Sequence, residues 1–187
     1  MFKKSLILII GLSLIFSSLS CQKRKNPVEP TPLKGTLFIK VDFHSDALDG
    51  VQNPGLAPFL RRAIRTIAVY IPGGVPNPIP PGFTGYPVLY ILADFGQEAL
   101  FFANTFSLKE IADDLITRGV IKPMVIVVAD GNNPIGGCFY ANSPIAGNYI
   151  NYIAKDLRAD TLGGINTLFD RIVLKDKAHT AISGVGM

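Results

Sequence analysis

Cysteine and histidine are scarce in this chain, with two of each. Cys21 falls in the leader-like front, so Cys138 stands alone in the body and no disulfide can form there. An exported body must then be held together by its core alone. Cys138 itself reads as a small buried side chain rather than a nucleophile. His44 and His179 are scattered, and with one body cysteine they offer no metal-ligand spacing, so neither a metal nor a cofactor is expected. Gly136-Gly137 and Gly163-Gly164 are turn signals and lack the spacing of a phosphate loop. Charge is sparse too: 17% of residues are charged and the net charge is +4. Lys3, Lys4, Lys23, Arg24, Lys25 and Lys34 against Glu29 account for +5, which leaves the body at −1. The basic balance belongs to the front of the chain and gives no support for a nucleic-acid surface.

Residues 1–20 read as an export signal. Lys3 and Lys4 form a positive start, Leu6 to Phe16 an apolar stretch, and Ser17, Ser18 and Ser20 a small-residue approach to Cys21. The apolar stretch is shorter than the roughly 20 residues of a spanning helix. A cysteine after small residues resembles a bacterial lipoprotein cleavage site, with Cys21 as the lipidated residue, although Ser18 stands where leucine is usual. The other reading is an ordinary signal peptide or an uncleaved anchor. Residues 21–34, broken by Pro27, Pro30 and Pro32, read as an extended tether that holds the body off a membrane. The expected location is the bacterial cell envelope. Residues 35–187 are one domain's worth of chain.

That body alternates strand and helix patterns. Leu37, Ile39, Val41 and Phe43 share one face of a strand whose other face carries Lys40 and Asp42. Residues 66–71 form a second apolar run. Residues 88–92 and 124–129 are apolar on both faces, as buried strands of a parallel sheet are. Between them Ser107 and Glu110 have capping-box spacing. Leu108, Ile111, Ala112, Leu115 and Ile116 then recur at helical spacing up to Gly119. A second helix is expected from Tyr149 to about Leu157, and a last short strand from His179 to Ser183. The alternation predicts an α/β fold with crossovers on a parallel sheet.

In order along the chain, FHSDAL (43–48), IAVYIPGG (67–74), YPVLYIL (86–92), MVIVVADG (124–131), CFYANSPIAGNY (138–149) and AISGVGM (181–187) resemble the esterase D-like, feruloyl-esterase-like branch of the α/β-hydrolases. The resemblance covers nearly all of 36–187. It implies a three-layer sandwich with a mostly parallel sheet, of which 35–187 would be the N-terminal part, lacking the C-terminal strands. It also implies a serine nucleophile in a G-x-S-x-G turn, followed by an acid and a histidine.

The catalytic positions that the resemblance implies depart from the pattern. Gly186 stands at the nucleophile position, and glycine has no side chain to attack a carbonyl. It suits the strained backbone of such a turn. The backbone donors of the oxyanion hole would come from Phe95 and Met187. Ala93-Asp94-Phe95-Gly96 stands where His-Gly-Phe-Gly is usual. Asp94 then either sets a carboxylate near the developing negative charge, opposing catalysis, or points to solvent. His44 and His179 both precede the turn, whereas the implied base follows it, and both read as structural or surface residues. Asp130 lies at a sheet's carboxyl end, where ligands often bind, and matches a structural motif better than a catalytic acid. Ser183 and Ser143 lack a recognisable base, so no catalytic residue is assigned.

Three functions follow as expectations. The first is an esterase-like exported lipoprotein that is catalytically inactive as it stands. The second is a binding module for a carbohydrate, acyl or small ester ligand. The third is a fragment of an active serine esterase. An uncovered strand edge near the end of the sequence also invites self-association.

Overall fold

The computed structural model of the chain describes residues 37–49, 63–73, 79, 81–158 and 164–184. The expected signal segment, tether and lipidation residue Cys21 lie outside the described residues, as do Gly186 and Met187. None of the described helices is long and apolar enough to cross a membrane.

Five strands form one mixed sheet: β1 (Leu37–His44), β2 (Ile64–Ile71), β3 (Val88–Leu92), β4 (Val125–Ala129) and β7 (Thr180–Gly184). Their spatial order is β1-β2-β4-β3-β7. Two short strands, β5 (Asn142–Ser143) and β6 (Gly147–Asn148), make a separate hairpin. β3 pairs in parallel with β4 and with β7, whereas β2 is antiparallel to both β1 and β4. The expectation of a mostly parallel sheet is therefore corrected: the β1-β2 half is antiparallel. Apolar runs on both faces of a strand report burial, not direction, and β2 is buried because it lies inside the sheet.

Alternation sorts the strand residues onto two faces. On one face Ile67, Val69, Val125, Val127 and Ala129 pack with Tyr149, Tyr152 and Leu157. On the other, Ala68 and Val128 meet Ala99, Phe102 and Ala103 of helix α1 (Ala99–Thr105). Tyr70 and Ile126 meet Ala112 of helix α2 (Leu108–Thr117). α3 opens as an α-helical turn, Tyr149–Asn151, and continues as a π-helix, Tyr152–Leu157. Its Asp156 accepts from Ser45 Oγ at 2.6 Å and from the Ala47 backbone N–H at 2.8 Å, which ties it to the turn after β1. A short α4 (Ile165–Leu168) follows.

Two local expectations fail. Ser107 does not cap α2: it is left-handed (φ 48°) and its side chain makes no capping bond. It is the hinge between α1 and α2, so it cannot take the extended backbone a cap needs. Nor does Ile111 face the sheet; it is exposed, and Asp113 is buried in its stead. Tyr70 Oη donates to Asp113 at 2.9 Å, and Lys109 reaches the same carboxylate at 2.8 Å. That bonded pair sets the rotation of α2 over the sheet.

Candidate functional site

The strand directions put the ends of β1, β3, β4 and β7 and the start of β2 along one edge. In open α/β sheets this carboxyl edge is where ligands bind. Register places Leu92 of β3 opposite Ala129 of β4 and Gly184 of β7. Gly184, the last described residue of β7, therefore lies beside Leu92, where the loop that follows β3 begins.

That loop is a tight turn. Asp94 C=O accepts from Gln97 N–H at 3.0 Å, and Gly96 sits at φ 72°, as the third residue of a type II turn requires. It is clamped to the loop after β4. Tyr140 Oη donates towards both Ala93 O (3.1 Å) and Ala129 O (3.2 Å). Gly131 N–H reaches Gln97 O at 3.1 Å. A Cβ on Gly96 would lie 2.2 Å from Gly136 O, and one on Gly137 would lie 2.4 Å from Gly96 N. The two glycines let the two backbones touch. The second loop is shaped by Asn133, whose Oδ1 accepts from Gly137 N at 2.9 Å and whose Nδ2 donates to Gly137 O at 2.8 Å.

Two features stand on this platform. Phe95 and Phe139 pair at 4.9 Å between ring centroids, and both are exposed, at 44% and 69%. The Asp94 carboxylate turns back on its own loop, with Oδ1 2.7 Å from the Phe95 backbone nitrogen. Of the two readings that the sequence leaves open for Asp94, neither is decided by this bond alone. Phe95 is placed at this edge as expected, but its N–H already carries an acceptor.

Beneath the platform lies a charged staple. Arg65, at the start of β2, reaches Asp130 Oδ2 at 3.0 Å, Asp130 O at 3.0 Å and Asn132 O at 2.9 Å. Its guanidinium lies 5.8 Å from the Tyr149 ring centre and 5.6 Å from that of Tyr152. Burial opposes its charge, but Tyr152, Asp130 and Tyr149 outweigh that, so its pKa is raised and it stays cationic. Asp130 is thus a structural partner, with Oδ1 also accepting from Asn132 N–H. A cavity of about 210 Å³ opens nearby, lined by Lys40, Thr66, Glu98, Leu100, Asp130 and Asn132. Its two acids and its lysine, beside Arg65, leave no strong excess of either sign.

The remaining candidates do not converge. His179 precedes β7, at the opposite end of that strand, and its Nδ1 lies 2.8 Å from Asp176. Five strand residues separate it from the carboxyl edge, about 16 Å. His44 ends the outermost strand β1, within 3.2 Å of Asp46 and 3.4 Å of Asp49. Ser143 Oγ accepts from Ile145 and Ala146 N–H groups and shapes a turn. Ser183 lies on β7 opposite Ile91. Cys138 is buried, and burial pushes its thiol up to about 11, which leaves it protonated and unreactive near neutrality. Among the described residues no cluster could hold a metal ion. Arg65 and Phe139 escaped the sequence reading. The one signal for Arg65 was an arginine directly before an apolar run.

No protein-family model matches the chain. Solved structures do. One is a ferulic acid esterase, with a TM-score of 0.62 and 20% identity over 81% of this chain and 50% of the other. Another is a CE1 ferulic acid esterase from Anaeromyces mucronatus in complex with ferulic acid, with a TM-score of 0.51 and 18% identity over 87% of this chain and 53% of the other. The fold is feruloyl-esterase-like. At these identities the likeness is one of architecture, and the chain spans about half the length of the structures it matches. The carboxyl edge of β3, β4 and β7 is the place to test for a ligand, as in other open α/β sheets.

Proposed function

We propose that this chain is an esterase-like exported lipoprotein, anchored in the cell envelope through Cys21, whose hydrolase-type site does not turn over esters. The observation that supports the reading is the register of β7 against β3, which sets Gly184 opposite Leu92, the last strand residue before the turn 93–97. In the sequence, the position that the resemblance gives the nucleophile holds Gly186. The described histidines give no base there, since His179 is at the far end of β7 and His44 is on β1, four strands across the sheet. Helical segments packed on both faces of the sheet support a three-layer sandwich. Among the described residues β7 pairs with β3 alone and exposes Ile182, which supports self-association by strand pairing.

The expected result is no release of p-nitrophenol from short-chain p-nitrophenyl esters and no labelling by a fluorophosphonate serine probe. Stoichiometric labelling would restore the active-esterase reading. Gly186→Ser alone is expected to recover little activity, because a hydroxyl without a positioned base is a weak nucleophile. A second reading, a non-catalytic binding module, is favoured by the exposed Phe95–Phe139 pair. Its ligand would be a small ester, an acyl group or a glycan.

A further inference from the structure

The loop between β3 and the first following helix supplies, in hydrolases built this way, one of the two backbone N–H donors that receive the oxyanion. Here that loop is 93–98, and the Phe95 N–H is bonded at 2.7 Å to Asp94 Oδ1. A carboxylate oxygen is what such a donor binds best, so the chain's own acid occupies the position an incoming anion would take. The backbone that aims it is fixed. Asp94 C=O is bonded to Gln97 N–H, and an added Cβ on Gly131 would lie 2.8 Å from that same carbonyl. Among the described residues no lysine, arginine or histidine pairs with Asp94, and nearby Arg65 is committed to Asp130. The carboxylate stands beside the exposed Phe95–Phe139 pair, whose ring faces also favour positive over negative charge.

The geometry points to Asp94 as the residue that decides which charge this site accepts: it holds the Phe95 N–H, and so the platform takes an organic cation or an uncharged group beside its rings and turns away a carboxylate or oxyanion. This rests on the reading of the carboxyl edge as a ligand site. A half-exposed like charge a few ångströms away costs about tenfold in affinity.

Two measurements on the full chain test it. The first is amide hydrogen exchange at Phe95 in the wild type, Asp94→Gly and Asp94→Asn. Asp94→Gly is expected to exchange about tenfold faster at Phe95, in line with the loss of a charge-assisted bond. Asp94→Asn, which keeps an acceptor, should fall between, and the amides of β4 should not change in either. Equal exchange at Phe95 in all three chains overturns the proposal. The second is binding of two aromatic probes of similar shape and opposite charge, phenethylammonium and phenylacetate. The wild type should prefer the ammonium by about tenfold, and Asp94→Gly should lose that preference. Binding of either probe without preference sinks the charge selection alone. Failure of both probes on both chains sinks it together with the ligand-site reading.

Discussion

Arg65 and Asp130 meet twice: Arg65 Nη2 is 3.0 Å from the Asp130 carboxylate and 3.0 Å from its carbonyl oxygen. The contact fastens the start of β2 to the loop after β4. Arg65 is 1% exposed and Asp130 8%, so each charge depends on the other. Removing one partner leaves a buried charge uncompensated. Arg65→Ala is expected to cost roughly 3–5 kcal/mol in urea unfolding. The double variant Arg65→Met/Asp130→Asn should recover a large part of that loss. A double variant as unstable as the single one would show that the packing of the arginine, not its charge, holds the loop.

The glycine contact between the two site loops gives a second expectation. Gly96→Ala would drive a Cβ to 2.2 Å from Gly136 O at a backbone φ of 72°. Neither the carbonyl nor the turn can yield, so the loss should be about 3 kcal/mol or more. Gly119 has nearly the same φ, 70°, but open space around it. Gly119→Ala should therefore cost only the conformational term, about 1 kcal/mol. Thermal unfolding of the two variants side by side separates collision from backbone preference.

Alkaline pH provides the third. Burial pushes the Cys138 thiol up to about 11 and the Tyr90 hydroxyl up to about 12, and it raises Tyr140, Tyr149 and Tyr152 as well. Above the ordinary thiol range, near pH 8.5, the unfolded chain gives up the Cys138 proton while the folded chain keeps it. Unfolding then releases protons, so stability falls as pH rises through about 9 to 11. Cys138 accounts for about 2 kcal/mol of that decline. Cys138→Ala should flatten the urea midpoint between about pH 8.5 and 9.5 and leave the steeper, tyrosine-driven loss that sets in near pH 10. A midpoint that does not move with pH in the wild type would contradict the burial of these groups.

The strands were legible because burial writes itself into composition. The alternating 37–43 and the apolar runs at 66–71, 88–92 and 124–129 all became strands. Their directions were not legible, since an apolar run looks the same whichever way its neighbour points. α1 was missed because it is seven residues long and exposes Phe101, which blurs its periodicity. The Ser107–Glu110 spacing misled because a capping signature presumes an extended residue, and here a preceding helix forced a left-handed one. At the site, the placement of Phe95 followed from the motif order. The Asp94 bond depends on one side-chain rotation and could not be read from residue types. Arg65 is a buried charge with partners after β4, a relationship only tertiary structure reveals. Gly186, Met187 and Cys21 lie outside the described residues, so those expectations stand as sequence statements.

Strand β7 touches the rest of the sheet through β3 alone among the described residues, and four of its five residues are exposed. Little apolar burial opposes its release. Its amides are therefore expected to exchange faster than those of β3 and β4. Because Gly184 lies beside Leu92, local opening of β7 would loosen the edge from which the turn 93–97 rises.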